Sequence, residues 1–319
     1  MDYLNQSIQS SDQIISAAAK ISGSGRKKMV AVAAAQDVDV IDALSSAETD
    51  GILDATLFGD KTLIEKMAAE GKIDISRLKV IDEKDPNMAT VAAVKMAAEG
   101  KADIIMKGFI STSILLKTVL SKDFNLRTKN TLSHVAVLDI PGYHKLLALT
   151  DGGMVVKPDL DQKLQLLENA VGVARALGVK PIRVALSSAI DDLDGTNAAT
   201  AGYREFIEKA SALNLGDVIL RGPLTLDAAT SKEIAARKKL TGEVVGEADI
   251  FLMNTIEECN IVAKTLINFA STVFAGVIVG ARVPVSLVSR TDTAKNKKAS
   301  VALACLIAEH LKTAAGGRL

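Results

Sequence analysis

Three residues whose types can handle an anion and a proton together, Ser289, Arg290 and Asp292, follow an apolar run at residues 283–288. An Arg guanidinium suits a phosphate or a developing oxyanion, and a neighbouring Ser hydroxyl can donate to the same charge. A carboxylate shortly after them can act as a base. Asp292 has a second interpretation, because Asp also favours the N-cap position of a helix. The segment therefore predicts an anion site whose acid is either a base or a cap.

A second candidate anion site follows the strand predicted at residues 102–106. That strand leads into Lys107 and Gly108, and three hydroxyl residues then open a predicted helix: Ser111, Thr112 and Ser113. A helix dipole, unpaired N–H groups and hydroxyls together favour an anion. The segment is not a P-loop, because the GxxxxGK[ST] spacing is missing. The alternative is an ordinary hydroxyl cap beside a solvated Lys107.

Two further strand ends carry polar residues. Asp151 and Gly152 follow the strand predicted at residues 145–149, and Asn260 follows the one predicted at 248–253. A glycine permits close approach of the backbone to a ligand, and the Asn amide could reach a cleft. A plain turn and a solvated helix start explain the same residues, so both interpretations stay open.

The chain has no pattern for a metal centre or a disulfide framework. Its three histidines lack metal-ligand spacing, and its two cysteines are too few for a framework of bridges or a structural zinc site. We therefore expect no metal, and free thiols in a reducing cytoplasm.

The elements that must position these residues alternate between strands and helices. In the first part of the chain, strands are predicted at residues 27–34, 56–59, 79–81 and 102–106, and helices at 38–47, 61–69, 86–99 and 111–120. In the second part, strands are predicted at 134–139, 145–149, 182–186, 218–220 and 248–253, and helices at 159–177, 199–213 and 258–270. A last strand and a helix at 293–311 return to the first domain. This alternation predicts an α/β fold with helices packed on parallel sheets.

Composition excludes several classes of function. The chain of 319 residues is long enough for two domains, and 48% of its residues are hydrophobic, which is enough for a core in each. The formal net charge is zero, so there is no electrostatic case for nucleic acid or an anionic membrane. No apolar run approaches the roughly 20 residues that span a bilayer. The N-terminus lacks the pattern of a signal peptide, so we expect a cytoplasmic protein.

Taken in order, these segments resemble the phosphate acetyl/butyryltransferase family over most of the chain. The matching stretches are residues 102–108 with Thr112, 132–135, 150–152, 169–170, 222–224 with Asp227, 246–249 and 283–292. The Ser-Arg-x-Asp form and the Ser-His-Val segment are more similar to the butyryl branch of the family than to the acetyl branch.

The resemblance implies two doubly wound α/β domains with the site in an interdomain cleft, in a fold like that of isocitrate and isopropylmalate dehydrogenases. The first domain would be discontinuous, with residues 1–132 and 284–319, and the second would comprise residues 133–283. The family also implies a homodimer or a higher homo-oligomer.

The activity that the resemblance implies is reversible transfer of a short, butyryl-like acyl group between CoA and inorganic phosphate. Transfer would occur in a ternary complex without a covalent enzyme intermediate. Ser289 and Arg290 lie on the family's Ser-Arg pair, which binds phosphate and stabilises the tetrahedral oxyanion. The base that takes the thiol proton of CoA is an Asp shortly after that pair.

Two departures from the family pattern affect this assignment. Asp292 is the nearest acid, but acetyl-branch members place theirs further along, where this chain has Lys295, Asn296 and Lys297. Cys259 stands where relatives commonly have Gly, and it either reshapes the acyl or CoA pocket or tightens a turn.

Acyl-CoA and phosphate are then substrates, and no cofactor is required. The residues predicted to bind phosphate or CoA are Lys107, Gly108, Ser111, Thr112, Ser113, Asp151, Gly152 and Asn260. Three alternatives stay open. One is a phosphate acetyltransferase with acetyl preference, and another is an NAD(P)-dependent decarboxylating dehydrogenase of related fold, which needs clustered metal carboxylates. The third is a non-catalytic protein that binds acyl phosphate or CoA.

Overall fold

The structure is a computed structural model that describes residues 6–25, 27–191, 201–287 and 292–316. The chain forms two compact units. Among the described residues, the first unit contains 11–130 and 274–316, and the second contains 6–10 and 131–273. Residues 274–283 thus belong to the first unit, whereas the sequence boundary assigned them to the second domain.

The first unit contains six helices and six strands among its described residues. The helices are α1 (Ser11–Gly23), α2 (Val38–Thr49), α3 (Lys61–Gly71), α4 (Pro86–Ala98), α5 (Thr112–Val119) and α11 (Ala294–Gly316), with a short 3₁₀ turn at Lys122–Phe124. The strands are β1 (Lys28–Ala33), β2 (Leu53–Gly59), β3 (Lys79–Asp82), β4 (Ile104–Lys107), β10 (Val273–Val279) and β11 (Val285–Ser286).

The strands of the first unit lie in the order β3-β2-β1-β4-β11-β10. All neighbours are parallel except β10 and β11, which are antiparallel. The reason is the connection at residues 280–284, which is too short for the dozen or more residues that a parallel crossover needs. Polar caps start the helices on this sheet: Asp37 accepts the Val40 N–H at 3.1 Å, and Asp60 accepts the Leu63 N–H at 3.1 Å.

Helix α1 has no counterpart in the elements predicted from the sequence. It packs against α11, and the residues it buries have helical spacing: Ile14, Ala17, Ala18 and Ile21. This spacing was the available signal, because apolar residues at i, i+3, i+4 and i+7 form one face of a helix.

The second unit is also built from helices and strands in alternation. Its strands are β5 (Ser133–Asp139), β6 (Leu147–Thr150), β7 (Ile182–Ser187), β8 (Val218–Leu224) and β9 (Ile250–Leu252). Its helices are α6 (Leu160–Ala176), α7 (Ala201–Ala212), α8 (Leu226–Thr230), α9 (Lys232–Arg237) and α10 (Ile256–Phe269). The strand order is β5-β6-β9-β7-β8, and only β5 and β6 are antiparallel neighbours within this series.

The prediction of an α/β fold is confirmed, and the expectation of parallel sheets is corrected to mixed sheets. In the second unit the antiparallel pair is the hairpin of β5 and β6, whose short loop contains Pro141 and Gly142. Gly142 has a φ of 92°, a conformation that favours glycine. No helix in the described parts of the chain is both long enough and apolar enough to cross a membrane.

Candidate active site

In the first unit, the carboxyl ends of β1, β4 and β11 lie at one edge of the sheet, because these strands are parallel neighbours. We call this the carboxyl edge of the first unit. Lys107 ends β4 there and is only 6% exposed, so the alternative of a solvated lysine is wrong. Its Nζ donates to the Gly108 carbonyl at 3.3 Å. Burial on a rigid strand fixes the position of this cation at the carboxyl edge.

Gly108 is required by close backbone contact. A Cβ at this position would lie 2.2 Å from the Ala34 carbonyl oxygen and 2.8 Å from that of Ala33. The Gly108 N–H donates to the same Ala33 carbonyl at 2.9 Å. The chain therefore leaves β4 against the end of β1, and any side chain would push the following loop away from this edge.

The three predicted hydroxyl residues lie at the start of α5. Ser111 is its N-cap, and its hydroxyl accepts the Ile114 N–H at 3.3 Å. The Ser111 and Ser113 hydroxyl oxygens are 3.1 Å apart. Thr112, the residue between them in the sequence, is half-buried. The structure thus combines a cap with a cluster of hydroxyls at a helix N-terminus, which is a favourable environment for an anion.

Of the predicted catalytic residues, Ser289 and Arg290 lie outside the described residues, and Asp292 lies within them. Asp292 is buried, with 5% exposure, two residues before α11. The capping hydrogen bond of this helix is made by its neighbour: Thr293 Oγ1 accepts the Asn296 N–H at 3.3 Å. The Thr293 carbonyl also accepts the Lys297 N–H at 3.0 Å. Thr293 therefore occupies the cap position that was one of the two interpretations for Asp292.

The positions where acetyl-branch relatives place their acid have structural contacts here. Asn296 Oδ1 accepts the Phe274 N–H of β10 at 3.3 Å. The Lys297 side chain is fully buried, and its Nζ lies 3.0 Å from Asp37 Oδ1 and 3.2 Å from Asp39 Oδ2. Lys297 thereby joins the start of α11 to the start of α2. Where acetyl-branch relatives place an acid, this chain therefore has a lysine that pairs with two carboxylates.

In the second unit, Asp151 organises the loop that follows β6. Its carboxylate accepts the backbone N–H groups of Gly153 at 2.7 Å, Met154 at 2.9 Å and Val155 at 3.2 Å. Burial raises the pKa of this carboxyl, and those N–H groups oppose the rise. Asp151 therefore shapes the backbone of residues 151–155 through contacts within its own loop.

Gly152 and Asn260 are brought together in this unit. The Asn260 amide nitrogen donates to the Gly152 carbonyl at 3.1 Å. Cys259 is fully buried, and its Sγ would lie 3.0 Å from a Cβ added at Gly152. Cys259 thus packs directly on the loop after β6, and its thiol fills the space beside Gly152.

Three polar residues that meet near the end of β7 were not singled out from the sequence: Lys163 of α6, Tyr203 of α7 and Asn254, which follows β9. The Lys163 Nζ donates to Asn254 Oδ1 at 2.7 Å and lies 5.6 Å from the Tyr203 ring centroid. The Asn254 amide nitrogen and the Tyr203 hydroxyl both donate to the Ser187 carbonyl, at 2.9 and 2.6 Å. A lysine in the first turns of a helix gives no signal in sequence, because such a side chain is normally solvated.

The environment of Lys163 changes its acidity. Burial lowers the pKa of its ammonium to about 8, although the nearby Glu258 carboxylate opposes this effect. His134 of the same unit is buried, and burial together with the positive charge of Lys264 lowers its imidazole pKa to about 4. His134 is therefore neutral near pH 7. Among the described residues, no three His, Cys, Asp or Glu side chains are grouped to hold a metal ion.

Comparisons with known proteins identify related chains of nearly the same length. The sequence model of the family described as "Phosphate acetyl/butaryl transferase" matches residues 86–305. A phosphate butyryltransferase from Clostridium beijerinckii is 39% identical, over 89% of this chain and 94% of that protein. A phosphate acetyltransferase from Thermotoga maritima is 34% identical, over 89% of this chain and 96% of its own length.

A solved structure extends this similarity to the fold. The crystal structure of a branched-chain phosphotransacylase from Enterococcus faecalis V583 matches with a TM-score of 0.76 and 30% sequence identity. The match covers 89% of this chain and 99% of that one. Sequence and fold therefore identify the same group of relatives.

Proposed function

The chain belongs to the phosphate acetyl/butyryl transferase family, and from that premise we propose that it is a phosphate acyltransferase whose preferred acyl group is butyryl-sized. It transfers the acyl group reversibly between CoA and inorganic phosphate. The observation that carries the preference is the identity to the clostridial butyryltransferase over nearly the whole chain. The chain is also 34% identical to an acetyltransferase, so acetyl preference is the alternative, supported by the lower of the two identities.

The proposed chemistry is direct transfer in a ternary complex. In the direction of acyl-CoA synthesis, the Asp292 carboxylate removes the thiol proton of CoA, and the thiolate attacks the carbonyl carbon of the acyl phosphate. Ser289 and Arg290 stabilise the oxyanion of the tetrahedral intermediate, whose collapse breaks the C–O bond and releases phosphate. The burial of Asp292 supports its role, because a base shielded from water keeps a defined position.

The phosphate-binding part of the proposal rests on the carboxyl edge of the first unit. Lys107 supplies a buried cation, and the Gly108 backbone allows the loop to lie close to the sheet. The hydroxyls of Ser111, Thr112 and Ser113 stand at the N-terminus of α5. These groups are the donors that a phosphate needs.

In the second unit, the loop after β6 is the proposed contact for CoA. Asp151 fixes the loop backbone, and Asn260 holds the Gly152 carbonyl. In this proposal Asp151 acts by positioning, whereas Gly152 and Asn260 present backbone and amide groups to the substrate.

The two cysteines of the chain are poorly suited to form a covalent acyl intermediate. Burial raises the thiol pKa of Cys259, and it raises that of Cys305 to about 12. Thiols are nucleophilic only as thiolates, so neither residue is suited to accept the acyl group. The proposal uses no acyl-enzyme and no cofactor beyond its substrates. We also propose that the protein is cytoplasmic, forms a homodimer or a higher homo-oligomer, and binds neither nucleic acid nor membrane.

The preference is tested by comparing kcat/KM for acetyl-, propionyl-, butyryl- and isobutyryl-CoA, with thiol release as the signal. One methylene in an apolar pocket changes kcat/KM by roughly 10- to 200-fold, so butyryl-CoA should exceed acetyl-CoA by at least about tenfold. An acetyl-CoA value equal to or above the butyryl-CoA value would establish the acetyl alternative. The isobutyryl-CoA value tells whether a branched chain is accepted as well.

A further inference from the structure

The second unit contains a cavity of about 210 Å³ at the edge where β7 and β9 begin. We call it the amino-edge cavity. One wall is the end of α6, and the N-terminal segment lies along it, since the Ile8 N–H donates to the Leu177 carbonyl at 2.9 Å. Much of its lining is apolar: Val137, Leu146, Ala148, Ala174, Leu177 and Val179.

Most charged groups in the lining are already paired with groups of opposite charge. The Lys145 Nζ donates to Asp249 Oδ1 at 2.7 Å and to the Glu247 carbonyl at 2.6 Å. Glu247 Oε2 lies 3.0 Å from His144 Nε2. Lys180 is paired with Asp217 at 2.8 Å. The carboxylates in the lining are therefore occupied by other cations.

Arg183 is the exception among the described residues. Its backbone N–H donates to Asp249 Oδ2 at 2.7 Å, but its guanidinium has no hydrogen-bond or ion-pair partner in the described part of the chain. Its Nε is buried without an acceptor. A buried donor without a partner is unfavourable, and an Arg fork matches a planar carboxylate with two parallel hydrogen bonds.

We propose that the amino-edge cavity binds a short-chain carboxylate, with the carboxylate group on the Arg183 guanidinium and the hydrocarbon chain on the apolar wall. The Arg183 guanidinium acts electrostatically on the Asp249 carboxylate, but its Nε keeps an unused donor for one further carboxylate. Glu247 and Asp249 in the lining repel a dianion such as phosphate more strongly than they repel a monoanion. Typical sites for drug-sized ligands hold about 300–1,000 Å³, so this cavity suits a smaller ligand.

The proposal is independent of the catalytic site. The residues that line the cavity belong to the second unit, and Arg183 lies near the beginning of β7. The loop after β6, which carries Asp151 and Gly152, follows the opposite end of such a strand. Binding of a carboxylate and transfer of an acyl group can therefore be measured separately.

The test is a titration of the full chain with butyrate by calorimetry, beside butyramide as the neutral isostere and inorganic phosphate as the other anion. Butyrate should bind saturably, and Arg183→Gln should weaken its binding by about tenfold or more, because hydrogen bonds to charged groups are lost. Butyramide should bind at least about tenfold more weakly than butyrate for the same reason. The variant Arg290→Ala should keep the butyrate affinity, since Arg290 belongs to the catalytic proposal.

Two variants keep the test decisive if Arg183→Gln does not fold. Ala174→Met fills the cavity from α6 without changing charge, and it should also weaken butyrate binding by about tenfold or more. Arg237→Gln is the matched control, because Arg237 is exposed and pairs with Glu233 at 2.6 Å outside the cavity. Unchanged butyrate affinity in a folded Arg183→Gln or in Ala174→Met, loss of affinity only in Arg290→Ala, or phosphate binding that is weakened by Arg183→Gln but not by Arg290→Ala would each overturn the proposal.

Discussion

At the start of α11, two neighbouring side chains have separable roles. Thr293 makes the capping hydrogen bond to the Asn296 N–H, and Asp292 is buried immediately before it. The sequence left cap and base as alternatives for Asp292, since both need a short acidic side chain before a helix. The hydrogen bond to Thr293 Oγ1 decides which residue receives the helix N–H. In the proposed reaction, the buried Asp292 carboxylate is the base.

The two roles can be separated by a pair of variants. Asp292→Asn keeps the shape of the side chain and removes the base, so kcat should fall by about 10²- to 10⁴-fold with little loss of stability. Thr293→Ala removes the cap, so the free energy of unfolding should fall by about 1 kcal/mol while kcat stays within a few-fold. Thiol-release kinetics and urea unfolding measure the two effects. A variant Asp292→Asn with normal kcat but reduced stability would return this residue to a capping role.

At the scale of elements, most strands and helices were predicted from apolar patterns and caps, whereas α1, β10 and the extent of β11 were not. Helices such as α2, α3 and α4 begin at an Asp cap, and the sequence places them within a few residues. The run at 283–288 predicted a full strand, but β11 extends only over Val285–Ser286. Strand β10 was missed, although its apolar run at Val273–Val279 is typical of a buried strand.

One contact between elements is directly testable, namely that of the loop after β6 with α10. Gly152 has no positive φ, so Gly152→Ala is opposed by the Cys259 thiol at 3.0 Å and not by backbone strain. Overpacking of this kind costs about 1–3 kcal/mol of unfolding free energy. In a Cys259→Ala background the same substitution should cost much less, with a coupling of about 1 kcal/mol or more.

Urea unfolding of the four proteins in this double-mutant cycle gives the coupling energy. Additive effects within about 0.5 kcal/mol would show that Cys259 and Gly152 do not press on each other. The expected coupling would instead explain why glycine and a small thiol occur together here. It would mean that Cys259, which stands where relatives commonly have Gly, serves to pack this turn.

At the scale of the whole chain, the sequence predicted the function and the strand ends that carry the candidate residues better than the side-chain contacts around them. Polar residues after strands mark the carboxyl edge of a sheet from sequence alone, as for Lys107 and Asp151. The burial of Lys107, the loop contacts of Asp151 and the contact of Lys163 with Asn254 depend on packing between distant segments. The family resemblance supplied the reaction, because chemistry follows from an ordered set of motifs and not from the fold alone.

The central claim is that this chain moves an acyl group between CoA and phosphate. The most direct measurement is thiol release from butyryl-CoA with and without phosphate, with acyl phosphate trapped as the hydroxamate in the same reaction. We predict equal amounts of thiol and acyl phosphate, both dependent on phosphate, and a rate about 10²- to 10³-fold lower in Arg290→Ala. Absence of phosphate-dependent thiol release with acetyl-, propionyl- and butyryl-CoA would contradict the claim.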